Sequence, residues 1–451
     1  MDQSAQLARY GLFDARVPRY TSYPTAPHFS AAVGPGDFET WVRAIPPGAR
    51  ISLYLHVPFC RRLCWFCACR TQGTQSDEPV RAYAQTLKAE LALLQRILPE
   101  GVELSRLHWG GGTPTLMPAD VIADLAAAIA RVVPMGKGAE FSVEIDPNEI
   151  DETRIAALVA AGMNRASIGV QDFDTEIQKV IGRDQTYEVT DRAVRMLREA
   201  GIASLNADIL YGLPHQTVPR LSDSVQKLLS LSPDRVALYG YAHVPWMARR
   251  QVMIPSDAMP TPEERLDLFE AARELFVWDG FREIGIDHFA RPGDGLEIAA
   301  RAGKLRRNFQ GYTDDDAEVL IGLGASSISR FPQGYAQAQG GTSDYVRDVR
   351  AGRFPTHRGH RFTAEDKLRA RIIEALMCDF RVDYDELRHD FGLSAAEISA
   401  LVAPVLSQFR GMLETSDEAL TIPDRARPLT RMIARAFDAY DLSKAGHSQA
   451  V

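Results

Sequence analysis

The sequence is short of cysteine: five in 451 residues, too few and too crowded for a disulfide framework. No stretch approaches eighteen consecutive apolar residues, so no membrane span is expected. No excess of basic charge is present either. Lys and Arg total 51 against 59 Asp and Glu, a formal net charge of −8. That balance argues against nucleic acid as a partner but leaves room for a local arginine pocket. Residues 1–20 carry Asp2, Asp14 and scattered arginines without the apolar stretch of a secretory leader, so a cytoplasmic location is expected. Apolar and charged fractions of 45% and 24% are ordinary for a globular chain. Its length exceeds what one core covers, which predicts two or three domains.

What is present is a concentration. Four of the five cysteines (Cys60, Cys64, Cys67 and Cys69) fall within ten residues. They follow a strand-like run, 51–57, in which Ile51, Leu53, Leu55 and Val57 alternate and Pro58 ends the pattern. Structural zinc usually draws two cysteine pairs from separate knuckles, and no second pair or suitably spaced histidine follows here. A [4Fe–4S] cluster held by Cys60, Cys64 and Cys67 fits best, since thiolates are its natural ligands and three would leave one iron open. Zinc and inert thiols are the alternatives.

Strand-like segments at 51–57, 106–109, 140–145, 165–170, 203–210 and 235–241 alternate with amphipathic runs at 79–98, 119–133, 152–161, 187–200 and 221–231. This is the pattern of a parallel α/β sheet with right-handed crossovers. Periodicity alone does not separate an open barrel from a doubly wound sheet. In both, functional residues gather at the C-terminal ends of strands. Those ends carry Gly110, Gly111, Gly112 and Thr113 after one strand, then Glu144, Gln171, Asp208 and Ala242 after four others. One such residue alone is as easily a helix cap or a tight turn. Five polar or glycine-rich strand ends in succession point to a site.

Further on, Thr261, Pro262 and Glu264 mark a helix start with a capping box. His288, Arg291, Phe309 and Tyr312 are candidates to line a site or to fill the core. Residues 362–440 are helix-rich. A helix–helix–wing reading of 382–422 suggests a small DNA-binding domain, but Asp383, Asp385, Glu386, Asp390 and Glu397 disfavour phosphate contacts. A cap on the sheet is the better reading, with Cys378 a buried structural thiol.

The C-x3-C-x2-C loop after the first strand resembles the radical S-adenosylmethionine (SAM) superfamily. The longer C-x3-C-x2-C-x-C form, together with the upstream run PRYTSYPTAP at 18–27, resembles the oxygen-independent coproporphyrinogen III oxidases within it. The likeness extends from residue 18 to about 440. It implies a partial (β/α)6 radical-SAM barrel at 39–300, an N-terminal arm over the active site at 1–38, and a mostly helical C-terminal cap domain at 301–451. It implies a [4Fe–4S] cluster on Cys60, Cys64 and Cys67 and two molecules of SAM. Tyr54, Gly111, Glu144, Ala242 and Ile328 match the set around the cluster-bound SAM. Phe66, Gly112, Thr113, Gln171, Arg183 and Asp208 match the set around the second. Catalytic roles fall to Tyr54 and to Cys69, which is not expected to ligate iron because a fourth thiolate would block SAM.

The implied reaction is reductive cleavage of SAM to a carbon radical, which starts oxidative decarboxylation of two propionates of coproporphyrinogen III to vinyls. The implied partners are that tetrapyrrole and a reduced flavodoxin- or ferredoxin-type donor, acting on a monomer. Four substrate carboxylates call for cations, and Arg19, Arg249, Arg250, Arg291, Arg306 and Arg307 are candidates. Two positions depart from the family pattern: Ala68 stands in place of glycine, and Asp314 in place of threonine. Rival readings are a heme-binding chaperone of the same superfamily, a radical SAM methyltransferase acting on a tetrapyrrole, and a zinc-bound DNA-binding module.

Overall fold

The computed structural model describes residues 3–441 and 449–450. The first strand, β1 (Arg50–Val57), is buried at all but its first residue and Tyr54. That is the burial of a strand with helices outside and a core within. β2 (Glu103–Gly111), β3 (Met135–Ile145), β4 (Arg165–Gln171), β5 (Ser204–Tyr211) and β6 (Arg235–Gly240) follow, each parallel to its predecessor. Between them run the helices Glu78–Gln95, Ala119–Val132, Glu152–Ala160, Tyr187–Glu199 and Val218–Ser230. Side-chain caps fix several helix starts: Asp151 accepts from the amide of Arg154, and Thr186 from that of Val189.

Beyond β6 the chain adds β7 (Arg282–Ile284) and β8 (His288–Ala290), antiparallel, at one edge. At the other edge β9 (Leu320–Leu323) lies parallel to β1, and β10 (Ile328–Phe331), β11 (Gly334–Ala338) and β12 (Thr356–Arg361) continue antiparallel. The sheet order is β12-β11-β10-β9-β1-β2-β3-β4-β5-β6-β8-β7, an open partial barrel of twelve strands. The boundary expected at residue 300 therefore falls before four strands of this sheet. The physical reason is that β1 needs a partner on its second edge, and Leu320–Leu323 supplies one. The helical domain begins later, with Ala364–Asp379, followed by Tyr384–Phe391, Ala395–Gln408 and Thr430–Ala436. Its wing is a three-stranded sheet of residues 381–383, 414–415 and 419–421.

Two cores follow this division. Leu55, Val57, Trp109, Phe141, Val143 and Ile168 belong to the barrel core. Leu376, Val402, Ile433 and Phe437 belong to the core of the helical domain, and Leu7, Leu12, Phe13, Tyr20 and Tyr23 pack into that second core. The N-terminal segment is thus tied to the helical domain. The Tyr20 hydroxyl donates to Asp438 at 2.9 Å, and the amide of Ala439 donates to the Tyr23 hydroxyl at 3.1 Å. The segment also holds two helices, Gln3–Arg9 and Pro35–Arg43, that its proline and glycine content conceals in the sequence. Among the described residues no helix is long and apolar enough to cross a membrane.

Candidate active site

The C-terminal ends of β1 to β5 open onto a cavity of about 580 Å³. Lining it are Cys60, Cys64, Cys67 and Cys69, together with Tyr54, Phe66, Gly111, Gly112, Thr113, Glu144, Gln171, Arg183, Asp208 and Ile328. Of the cofactor residues that the resemblance implies, only Ala242 stands off its wall. The side chain of Gln251 accounts for Ala242 differently. Its amide nitrogen donates to the carbonyls of both Phe66 (2.7 Å) and Ala242 (3.1 Å), so the end of β6 is bound to the cysteine loop. Among the described residues none of 1–38 lines it.

The cysteine loop is pinned at both ends. Phe59 and Cys60 pair with Gln72 and Gly73 in a short parallel ladder, and the amide of Trp65 donates to Ile181 at 2.8 Å. The glycine run lies directly against it: Gly112 donates to the carbonyl of Val57 at 2.8 Å and Thr113 to that of Phe59 at 2.7 Å. A Cβ on Gly112 would stand 2.5 Å from the Phe59 carbonyl oxygen and 3.0 Å from Cys60 Sγ. Gly111 has φ +114°, and a Cβ there would meet the His56 ring at 2.6 Å. Only glycine fits at either position.

All four thiols are free, and Cys60, Cys64 and Cys67 are half-buried. Cys69 keeps an exposed face, which is the interior of the cavity. Burial pushes the Cys60 thiol up to about 11, with a hydrogen bond to Thr113 working against it. Burial also raises Cys64, opposed by Arg183, whose Nη1 lies 3.6 Å from its sulfur. Cys67 is lowered to about 6, chiefly by the hydrogen bond that the Cys69 thiol donates to it, while that bond raises Cys69. Arg183 and Arg250 stand close enough to favour thiolate character. Among the described residues no three His, Cys, Asp or Glu side chains converge as the ligands of one metal ion would. A cubane is larger than an ion and takes its thiolates from wider apart, so three free thiols on one cavity wall fit it.

Opposite the cysteines lie the strand-end polar groups. The Glu144 carboxylate accepts from the amide of Gly111 at 2.9 Å and faces His108 Nε2 at 3.3 Å. Burial works to raise its pKa, but these contacts leave it lowered, so it is a carboxylate. Asp208 is pushed up to about 7 by burial, with Asn206 as its donor at 2.8 Å. Gln171 sits at a register shift in β4 with φ +70°, which turns it toward the cavity. Arg183 is held by the carbonyl of Gly169 at 2.6 Å. The Tyr54 hydroxyl lies 3.0 Å from His56 Nδ1, and its ring stacks on His108 at 5.7 Å. His56 in turn reaches the carbonyl of Arg70 at 3.1 Å, and burial lowers its pKa.

Sequence reasoning missed His56, His108, Gln251 and the floor of the cavity. Arg106 pairs there with Glu140 and Asp314, each at 2.7 Å. Asp314, at the position where the pattern departs from its family, is thereby paired with Arg106. Of the cationic candidates, Arg250 lines the cavity and donates to Thr71 at 2.7 Å and to the Cys69 carbonyl at 3.2 Å. Arg291 is bound to Asp279, and Arg19 and Arg307 line a neighbouring cavity. Phe309 and Tyr312 both line the main cavity; Tyr312 is otherwise buried, its hydroxyl donating to the Met377 carbonyl at 2.6 Å.

An open parallel barrel with a three-thiol loop and a glycine-rich wall at the ends of its strands defines a radical SAM enzyme. Comparison with known proteins agrees: the family model described as the radical SAM superfamily matches residues 54–228, and that of the HemN C-terminal domain matches 362–429. The chain is 67% identical to the oxygen-independent coproporphyrinogen III oxidase of Paracoccus denitrificans, over 100% of both chains. It is 59% identical to one of Cereibacter sphaeroides, over 97% of this chain and 98% of that one. The solved coproporphyrinogen III oxidase (HemN) from Escherichia coli, a radical SAM enzyme, superposes with a TM-score of 0.90. That match is at 34% identity and covers 95% of this chain and 100% of the other. The chain belongs to the oxygen-independent coproporphyrinogen III oxidase family. It is an oxidoreductase whose cofactors are a [4Fe–4S] cluster and SAM.

Proposed function

We propose that the enzyme oxidatively decarboxylates two propionates of coproporphyrinogen III to vinyls, giving protoporphyrinogen IX in oxygen-independent heme biosynthesis. The single observation that carries this is the 67% identity over full length to a relative so named, joined to a cavity lined by every cofactor residue of the pattern except Ala242. Cys60, Cys64 and Cys67 would hold the cluster. Tyr54, Gly111, Glu144, Ala242 and Ile328 would hold one SAM, and Phe66, Gly112, Thr113, Gln171, Arg183 and Asp208 a second. When bound, the cluster and SAM supply the carbon radical that removes a propionate β-hydrogen.

The chain's own residues bind, orient and exclude. Glu144, ionised and already fixed by Gly111, accepts from an ammonium or from ribose hydroxyls. Arg183, held by Gly169 and Gln185, offers its positive charge to a carboxylate. The Tyr54–His56 pair closes the wall beneath the glycines and ties it to the Arg70 carbonyl, so the cysteine loop and the substrate wall move as one. Cys69 lines the cavity beside Cys67 and is assigned to touch ligand rather than iron. We place the enzyme in the cytoplasm as a monomer served by a reduced flavodoxin- or ferredoxin-type donor.

The test is anaerobic turnover of coproporphyrinogen III with SAM and a reductant, with products identified by mass. Formation of the divinyl product with methionine and 5′-deoxyadenosine is expected. S-adenosylhomocysteine with a methylated tetrapyrrole, or tight heme binding without a vinyl product, would overturn the reading.

A further inference from the structure

Beside the catalytic cavity lies a second one of about 380 Å³, between the β5, β6 and β8 edge of the barrel, the helical domain and the N-terminal segment. The two share His288 as a wall. Apolar side chains supply part of its lining: Leu266, Phe269, Ile286, Phe289 and Phe380. Among the described residues around them stand seven arginines and four carboxylates, an excess of three positive charges.

The carboxylates are already engaged. Arg273 pairs with Glu270 at 3.2 Å and with Glu283 at 2.9 Å. Arg427 pairs with Glu283 at 3.2 Å and with Asp424 at 2.9 Å. Asp287 is hydrogen-bonded to His288 at 2.7 Å and stands 3.6 Å from Arg307. Two cations keep capacity. Arg307, 7% exposed, has its Nε and Nη1 buried with no hydrogen-bond partner. Arg19, from the run at 18–27, spends Nη2 on the Gly240 carbonyl at 2.6 Å. A buried guanidinium with orphaned N–H groups is costly unless something accepts from it. Burial, and next the charge of Arg19, bring Arg431 on the same wall down to about 9, the mark of a cationic enclosure.

This inference rests on the function proposed above. Two of the four propionates react, and the other two stay ionised from the first step to the last. They need a cationic seat that the radical chemistry does not reach. We propose that this second cavity is a propionate-binding site, in which Arg307 and Arg19 receive the carboxylates of a tetrapyrrole. The same chemistry has two sources: the unreacted arms of the molecule under reaction, or a second, separate tetrapyrrole.

The experiment uses anaerobic holoenzyme with Arg19→Gln and Arg307→Gln, each charge-removing, and titrates coproporphyrin III and its tetramethyl ester by fluorescence beside steady-state turnover. Losing one charge-assisted contact should weaken coproporphyrin binding about tenfold or more. Binding of the ester, which lacks the charges, should be nearly unchanged. Uncoupled SAM cleavage without tetrapyrrole, which reports an intact catalytic cavity, should stay at the wild-type rate. One bound porphyrin per chain and a raised KM with kcat held would assign the site to the reacting molecule. Two per chain, one of them lost in the variants with KM held, would assign it to a separate one. Unchanged coproporphyrin affinity in both variants would overturn the proposal. Failure of the wild type to turn over coproporphyrinogen III would instead overturn the function on which it rests.

Discussion

Replacing Gly112 by alanine asks whether the glycine run and the cysteine loop are one unit. The added methyl carbon would lie 2.5 Å from the Phe59 carbonyl oxygen, 2.9 Å from its carbon and 3.0 Å from Cys60 Sγ, where ordinary contacts begin at 3.4 Å. The nearest two are backbone atoms, so no side-chain rotation relieves them. Phe59 is 2% exposed and its carbonyl also accepts from Thr113 at 2.7 Å. The two segments must therefore separate by about 1 Å, lengthening the Thr113–Phe59 and Gly112–Val57 hydrogen bonds together. Overpacking of this kind costs about 1–3 kcal/mol, which corresponds to roughly a 5- to 150-fold loss in whatever equilibrium the local geometry controls. Iron and sulfide per chain after anaerobic reconstitution, and the rate of uncoupled SAM cleavage, measure that loss. Gly36→Ala is the matched control, since nothing lies within 4 Å of its added Cβ. Gly112→Ala with wild-type iron content and wild-type SAM cleavage would refute the coupling of the two loops.

Alanine at Cys60, Cys64 or Cys67 is expected to abolish iron and sulfide binding, whereas Cys69→Ala keeps both. Equal loss in all four variants, by metal and sulfide analysis, would defeat the assignment. The pH dependence of stability should carry a signature of Glu90, a carboxyl 2% exposed that accepts from the Gly324 amide at 2.9 Å and the Tyr345 hydroxyl at 2.6 Å. Burial raises it from 4.5 to about 7, so it adds stability below the unfolded value and loses it as pH rises through the folded one. Denaturant titrations should show wild type losing up to about 3 kcal/mol between about pH 4.5 and pH 7.5 that Glu90→Gln does not lose.

Much of this architecture is legible in the sequence because strand and helix periods alternate without interruption from residue 51 to 241. The helix expected at 119–133 is observed at Ala119–Val132, and that expected at 187–200 at Tyr187–Glu199. Strand-end chemistry is legible for the same reason: once the strands are placed, Glu144, Gln171 and Asp208 must sit together at one rim. Residues 320–361 read differently. Leu320–Leu323 is four residues long and ends in glycine-rich GLGASS, too short a run to announce itself as the strand that covers the open edge of β1. Its membership in the sheet is decided by pairing at a separation of some 270 residues, which no local pattern encodes.

Two of the site residues that escaped notice, Gln251 and His56, act through main-chain groups. Gln251 holds two carbonyls, His56 holds the carbonyl of Arg70, and a Cβ on Gly112 would meet the carbonyl oxygen of Phe59. A backbone partner leaves no residue type in the sequence to match against. Ala242 is the same case seen from the other side. Its methyl group says nothing, and its value to the site lies in a carbonyl that Gln251 locks to Phe66. Residue identity reports side-chain chemistry. The rigidity of the site's wall is built from main-chain hydrogen bonds between segments far apart in the chain, and those become visible only when the strand ends are brought together.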